Sequence, residues 1–113
     1  MLTGLIPRIE PGLSSGGIEL LPEPGRTVIA MWGDIDATLR NRASEALTGA
    51  LTRDLPVVVD TEDVQFIDSS GIAFLAQLST LSREEGLEVR FRQISPAVDS
   101  VLSLTGVELV SAA

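Results

Sequence analysis

From Leu55 to Val59 the chain is apolar and β-branched with no polar alternation. A strand of that kind is expected where both faces of a sheet are covered, and parallel sheets provide that setting. A helical pattern begins at Ile72, so the run opens a strand–turn–helix unit. Parallel strands cannot be joined by a tight hairpin and need crossover connections, right-handed in nearly all cases. This unit therefore limits the fold to the α/β class.

The join itself reads Val64-Gln65-Phe66-Ile67-Asp68-Ser69-Ser70-Gly71. Asp68 or Ser69 is expected to act as the N-cap, its side-chain oxygen accepting an orphan amide hydrogen of the first turn. Gly71 puts little bulk near those amides, so a ligand, phosphate or partner backbone has close access. Both serines sit where a helix N-terminus favours added negative charge. On spacing alone, an ordinary cap worth about 1 kcal/mol is the simpler account. In a parallel sheet the turn would lie at the carboxyl edge of a strand, where α/β sheets usually bind their ligands.

The remaining pattern supplies the partners of this unit. Met1 to Gly17 is rich in Gly, Pro and Ser without a sustained period, and reads as a loose arm preceding a domain over residues 18–113. Ile18–Leu21 and Arg26–Trp32 form two strand candidates around the turn Pro22–Gly25, hence an antiparallel hairpin. Gly33-Asp34-Ile35-Asp36 is expected to close the second strand and open a helix over Ala37–Thr52, with Asp36 as cap. Leu39, Ala43, Ala46, Leu47, Ala50 and Leu51 share its inner stripe, and Arg40, Arg42, Glu45 and Arg53 its solvated face. Asp60–Asp63 reads as a connection into the serine turn. In the next helix, Ile72–Glu85, the inner stripe is Phe74, Leu75, Leu78, Leu81 and Ser82, and Gly86 is the stop. Leu87–Ile94 alternates as a half-exposed strand, Ser95-Pro96 opens a third helix ending at Thr105-Gly106, and Val107–Val110 is a last short strand. The predicted architecture is a mixed sheet, an N-terminal antiparallel hairpin followed by parallel strands, with helices packed against it. Asp34 and Asp36 are most simply turn and cap residues, Trp32 a packing residue, and Arg83, Arg90 and Arg92 solvent-facing charges.

Composition narrows the function. The chain of 113 residues is one domain in length, and 44% hydrophobic residues suit a packed core. The net charge of −8 disfavours nucleic acid and anionic membranes as partners. No apolar run approaches the ~20 residues that span a bilayer, and no secretory leader is visible, so a cytoplasmic location is expected. There is no Cys, His, Lys or Tyr. Their absence removes thiol nucleophiles, thiolate metal sites, the commonest general base and metal ligand, and Schiff-base chemistry. The expectation is a non-enzyme without cofactor or metal, any regulatory phosphate falling on Ser or Thr.

The set Gly33-Asp34-Ile35-Asp36, Val59-Asp60, Phe66-Ile67-Asp68-Ser69-Ser70-Gly71 and Ile94-Ser95-Pro96-Ala97-Val98 with Thr105-Gly106 resembles the STAS (sulphate-transporter and anti-sigma-factor antagonist) domain in its standalone bacterial form, the anti-sigma factor antagonists. The resemblance covers about residues 18 to 110. It implies that Ser69 is the phosphoacceptor and that Asp34, Asp36, Asp68, Ser70, Gly71, Ile72 and Ala73 belong to the partner-binding surface. It implies as partners an anti-sigma factor that is itself a GHKL-type serine kinase, and a PP2C-like phosphatase. Unphosphorylated protein would bind the anti-sigma factor and release the sigma factor. Two departures from the family pattern are a C-terminal helix that is short or missing and a longer N-terminal arm. The rival readings are a STAS scaffold subunit of a stress-signalling or transporter assembly, and a weak nucleotide-binding protein; against the latter there is no Lys-bearing phosphate loop.

Overall fold

The computed structural model describes residues 16–105, so the expected N-terminal arm up to residue 15, the Gly106 stop and the strand Val107–Val110 lie outside the described residues. Strands β1 (Gly17–Glu23) and β2 (Arg26–Ile35) form the expected antiparallel hairpin. A single 3-10 turn (Ala37–Leu39) leads into α1 (Arg40–Arg53), followed by β3 (Val57–Ile67), α2 (Ser69–Glu84), β4 (Val89–Ile94) and α3 (Pro96–Thr105). The sheet order is β1-β2-β3-β4, with β2, β3 and β4 mutually parallel. Two right-handed crossovers that step in the same direction across a sheet place their helices on one face. Accordingly α1 packs on β1 and β2, α2 on β3 and β4, and the two helices touch each other.

Alternation along the strands separates the two sheet faces. Ile29 and Met31 of β2, Val57, Val59 and Val64 of β3, and Phe91 of β4 join Ala46, Ala50, Leu75 and Leu78 of the helices in one core. Each fully buried Leu or Phe there contributes about 1.5–3 kcal/mol of transfer free energy. Val58 and Asp60, on the other face of β3, are only half-buried. The central strand is thus less completely covered than its apolar run suggested. α3 packs against β3 through Val98 and Leu102, and Ser95 caps it as expected, accepting from the Val98 amide at 3.2 Å.

The structure corrects several boundaries and two side chains. β2 does not end at Trp32 but continues through Gly33, Asp34 and Ile35, with register shifts on both sides of Trp32–Gly33. Gly33 has φ +70, a conformation that costs glycine nothing, and the irregularity lets the strand proceed past an extra residue. β3 likewise absorbs Asp60–Asp63, the expected connection, and runs to Ile67. α2 starts at Ser69, three residues before the first residue of the apolar pattern. Arg53, read as a solvated charge, instead donates to Thr27 Oγ1 at 2.7 Å, to the Glu23 carbonyl at 2.7 Å and to the Arg26 carbonyl at 3.1 Å. It ties the end of α1 to the β1–β2 turn. Arg92 is exposed as expected and Arg90 is half-buried, and they pair with Asp60 and Glu88 respectively. The Arg90 guanidinium holds the Glu88 carboxyl below its ordinary pKa by hydrogen bond and charge. No helix among the described residues is long and apolar enough to cross a membrane.

Candidate functional site

Two turns emerge side by side at the carboxyl ends of β2 and β3. Ile35 and Ile67 are aligned across the strands, and the Asp68 amide donates to the Ile35 carbonyl at 3.1 Å. This bond fixes the start of the 3-10 turn against the start of α2. Each turn is opened by an aspartate in extended conformation. Asp36 Oδ1 accepts from the Thr38 amide at 3.0 Å and from the Thr38 hydroxyl. Asp68 Oδ1 accepts from the Ser70 amide at 2.8 Å and the Gly71 amide at 3.3 Å. Asp68 is therefore the N-cap, and Ser69 is the first residue of the helix.

That assignment changes what the turn offers. The amides of Ser70 and Gly71, which an incoming phosphate would have used, are already taken by the Asp68 carboxylate. Gly71 is not an opening for a ligand either. It is buried, and a Cβ on it would lie 2.5 Å from Ile67 Cγ1 and 2.8 Å from Ile35 Cγ2. Its missing side chain is what allows α2 to seat on the ends of β2 and β3. Ser69 is exposed and Ser70 is half-buried.

Of the other expected surface residues, Asp34, Asp36 and Asp68 are half-buried and Ala73 is exposed. Ile72 is 7% exposed and belongs to the core. Three carboxylates thus stand at the carboxyl ends of β2 and β3, the edge that also carries Ser69.

Two features escaped the sequence reading. Phe66, in register with Asp34 across β2 and β3, is 52% exposed, far more than other aromatic residues of the described fold. Val64 and Ile67 on either side are buried, so the strand breaks its alternation here and turns Phe66 outward. The second feature is a groove of about 440 Å³ between α1 and α2, floored by Leu39, Ala43, Leu47 and Phe74. Asp36, Arg40, Ser70, Gly71 and Gln77 also line it, so it opens directly beside the serine turn. Its signal in the sequence is the stripe Leu39, Ala43, Leu47, where a small alanine between two leucines leaves room between packed helices.

The STAS domain family model matches residues 18–111. Comparison with curated proteins returned no match. Among solved structures, the fold is similar to an anti-sigma factor antagonist from Mycobacterium paratuberculosis, with TM-score 0.66 and 24% identity over 83% of each chain. It is also similar to a serine-to-glutamate variant of RsbS from Moorella thermoacetica, with TM-score 0.61 and 22% identity over 82% of this chain and 85% of that one.

Proposed function

The chain belongs to the STAS domain family, and from that premise we propose that it is an anti-sigma factor antagonist switched by phosphorylation of Ser69. The observation that carries the reading is an exposed serine at the first position of α2, held on a turn that the Asp68 cap and the packed Gly71 make rigid. A kinase needs a hydroxyl it can reach, and a switch needs that hydroxyl at a surface that does not yield when the charge arrives. In the proposed cycle the unphosphorylated protein docks on an anti-sigma factor of the GHKL serine-kinase type and frees a sigma factor. The kinase then transfers phosphate to Ser69, and a PP2C-like phosphatase removes it. The protein serves as ligand and substrate, not as catalyst, and works in the cytoplasm.

A phosphate adds about −1.5 to −2 charges where Asp34, Asp36 and Asp68 already stand. Docking would require desolvating that dianion beside three carboxylates, and a partner surface complementary to the unmodified turn lacks the countercharge to repay it. Binding of Ser69→Ala and Ser69→Glu to the anti-sigma factor, measured by calorimetry well below the melting temperature, tests the switch. The alanine variant is expected to bind like the parent and the glutamate variant at least about tenfold more weakly, a difference of ~1.4 kcal/mol. Equal affinities remove charge as the switch. Mass spectrometry after incubation with kinase and ATP tests the acceptor, and phosphate on Ser70 or a distant threonine reassigns it.

A further inference from the structure

Arg40 is the first residue of α1 and is exposed, and its side chain makes no hydrogen bond or ion pair among the described residues. A cation at a helix N-terminus opposes the helix dipole, so its placement there is not explained by α1 itself. Of the six other arginines of the described fold, five are accounted for. Arg26, Arg53, Arg90 and Arg92 have partners. Arg83 sits in the last turn of α2, where the dipole favours a cation. Arg42 lines a separate depression with Glu19 and Glu45. Arg40 alone lines the groove that also holds Asp36, Ser70 and Gly71. Asp36, whose Oδ1 accepts from the Thr38 amide and hydroxyl, forms no ion pair with Arg40.

We propose that Arg40 is an intramolecular receptor for the phosphate of phosphorylated Ser69, an inference that rests on the switch proposed above. The guanidinium presents a planar fork of donors that matches two phosphate oxygens. The amides of Ser70 and Gly71 are occupied by Asp68, so the phosphate must find its hydrogen bonds elsewhere. Arg40, which lines the same groove as Ser70, the residue next to Ser69, would supply them. The modified side chain is then drawn over the groove mouth, towards α1, and covers the apolar floor formed by Leu39 and Phe74. Phosphorylation in this arrangement closes a docking groove as well as adding charge.

The test uses the full chain with phosphoserine placed at position 69 during translation, so that it does not depend on any kinase. The second pKa of the phosphate is read by phosphorus NMR titration in the parent, Arg40→Gln, Arg40→Lys and Arg42→Gln proteins. Asp34, Asp36 and Asp68 push that pKa up in all of them, and Arg40 pulls it down. Arg40→Gln is expected to raise it by about half a unit, because an exposed countercharge lowers the pKa of a nearby acid by less than a buried one does. Arg40→Lys, which keeps the charge without the fork, is expected to fall between, and Arg42→Gln to match the parent. An unchanged value in Arg40→Gln, or an equal rise in Arg42→Gln, overturns the contact. Failure of a kinase to modify Ser69 would sink the switch, and the titration would still report on Arg40.

Discussion

Gly71 has two opposing claims on it, and magnitudes decide between them. Helix propensity alone favours alanine over glycine inside α2 by about 1 kcal/mol. The methyl group, however, would press on Ile67 Cγ1 and Ile35 Cγ2 at 2.5 and 2.8 Å, and both isoleucines are buried core residues with little room to retreat. Overpacking of a filled core costs about 1–3 kcal/mol. Gly71→Ala is therefore expected to lower stability, by up to about 2 kcal/mol in urea unfolding, and a gain in stability would show that the helix start has slack. Asp68→Ala tests the neighbouring cap: it removes one acceptor from two amides and should cost about 1–2 kcal/mol. Asp68→Asn retains an acceptor at that site and should recover most of the loss. The aspartate and the glycine were visible in the sequence as a cap and a helix start, but the reason for the glycine was not. The contact that demands it joins α2 to two strands separated by more than thirty residues, and local pattern carries no record of it.

Among the elements, α1 is held at its ends by devices of different legibility. Its C-terminal residue Arg53 reaches back to Thr27, Glu23 and Arg26, and Thr27 is completely buried. Charge-assisted hydrogen bonds contribute about 1.5–3 kcal/mol, and a buried hydroxyl left unpaired adds its own cost. Arg53→Ala is expected to destabilise the protein by about 2–3 kcal/mol in thermal unfolding, whereas Arg42→Ala, exposed and unpaired on the same helix, should change it little. Similar effects from both would mean that the bridge to the hairpin contributes nothing. Asp54, immediately after α1, has φ +58, a left-handed conformation that glycine adopts freely. Among the described residues, the type and order of the strands and α-helices followed from periodicity, because apolar spacing is a local property. The lengths of β2 and β3 did not follow. Gly33-Asp34 and Asp60-Thr61-Glu62-Asp63 have the polar composition of loops, and they are strands because each supplies the other with a parallel neighbour. Composition reads a residue's own preference; a ladder is a property of the pair. Ile72, which the family resemblance placed on the partner-binding surface, lies in the core of the described fold.

At the scale of the whole molecule, the serine turn and the rest of the fold share a well-packed foundation but few charges. Ile35, Ile67, Leu75 and Leu78 lie fully or almost fully buried beneath the turn. Packed interiors resist small displacements, so a charge added on the surface is expected to act where it sits. The helix dipole would stabilise a phosphate on Ser69 by only about 0.3–1 kcal/mol, and the Asp68 carboxylate beside it opposes that gain. The ion pairs Arg26–Glu23, Arg90–Glu88 and Arg92–Asp60 all involve at least partly exposed arginines and lie away from the turn, so they give the phosphate no lever on distant elements. The phosphorylated protein should accordingly keep its secondary structure, with a melting temperature within about 3 °C of the unmodified form, since roughly 1 kcal/mol shifts a domain of this size by 4–8 °C. Backbone amide NMR of the two forms would locate the effect. Shifts are expected at Gly33–Asp36, through the first two turns of α2 and at the start of α1 around Arg40, where the proposed phosphate contact would register. Residues of β4, at the sheet edge opposite the hairpin, and of α3 should keep their positions in the spectrum. Widespread movement there would mean that phosphorylation repacks the core, and the local electrostatic account of the switch would fail.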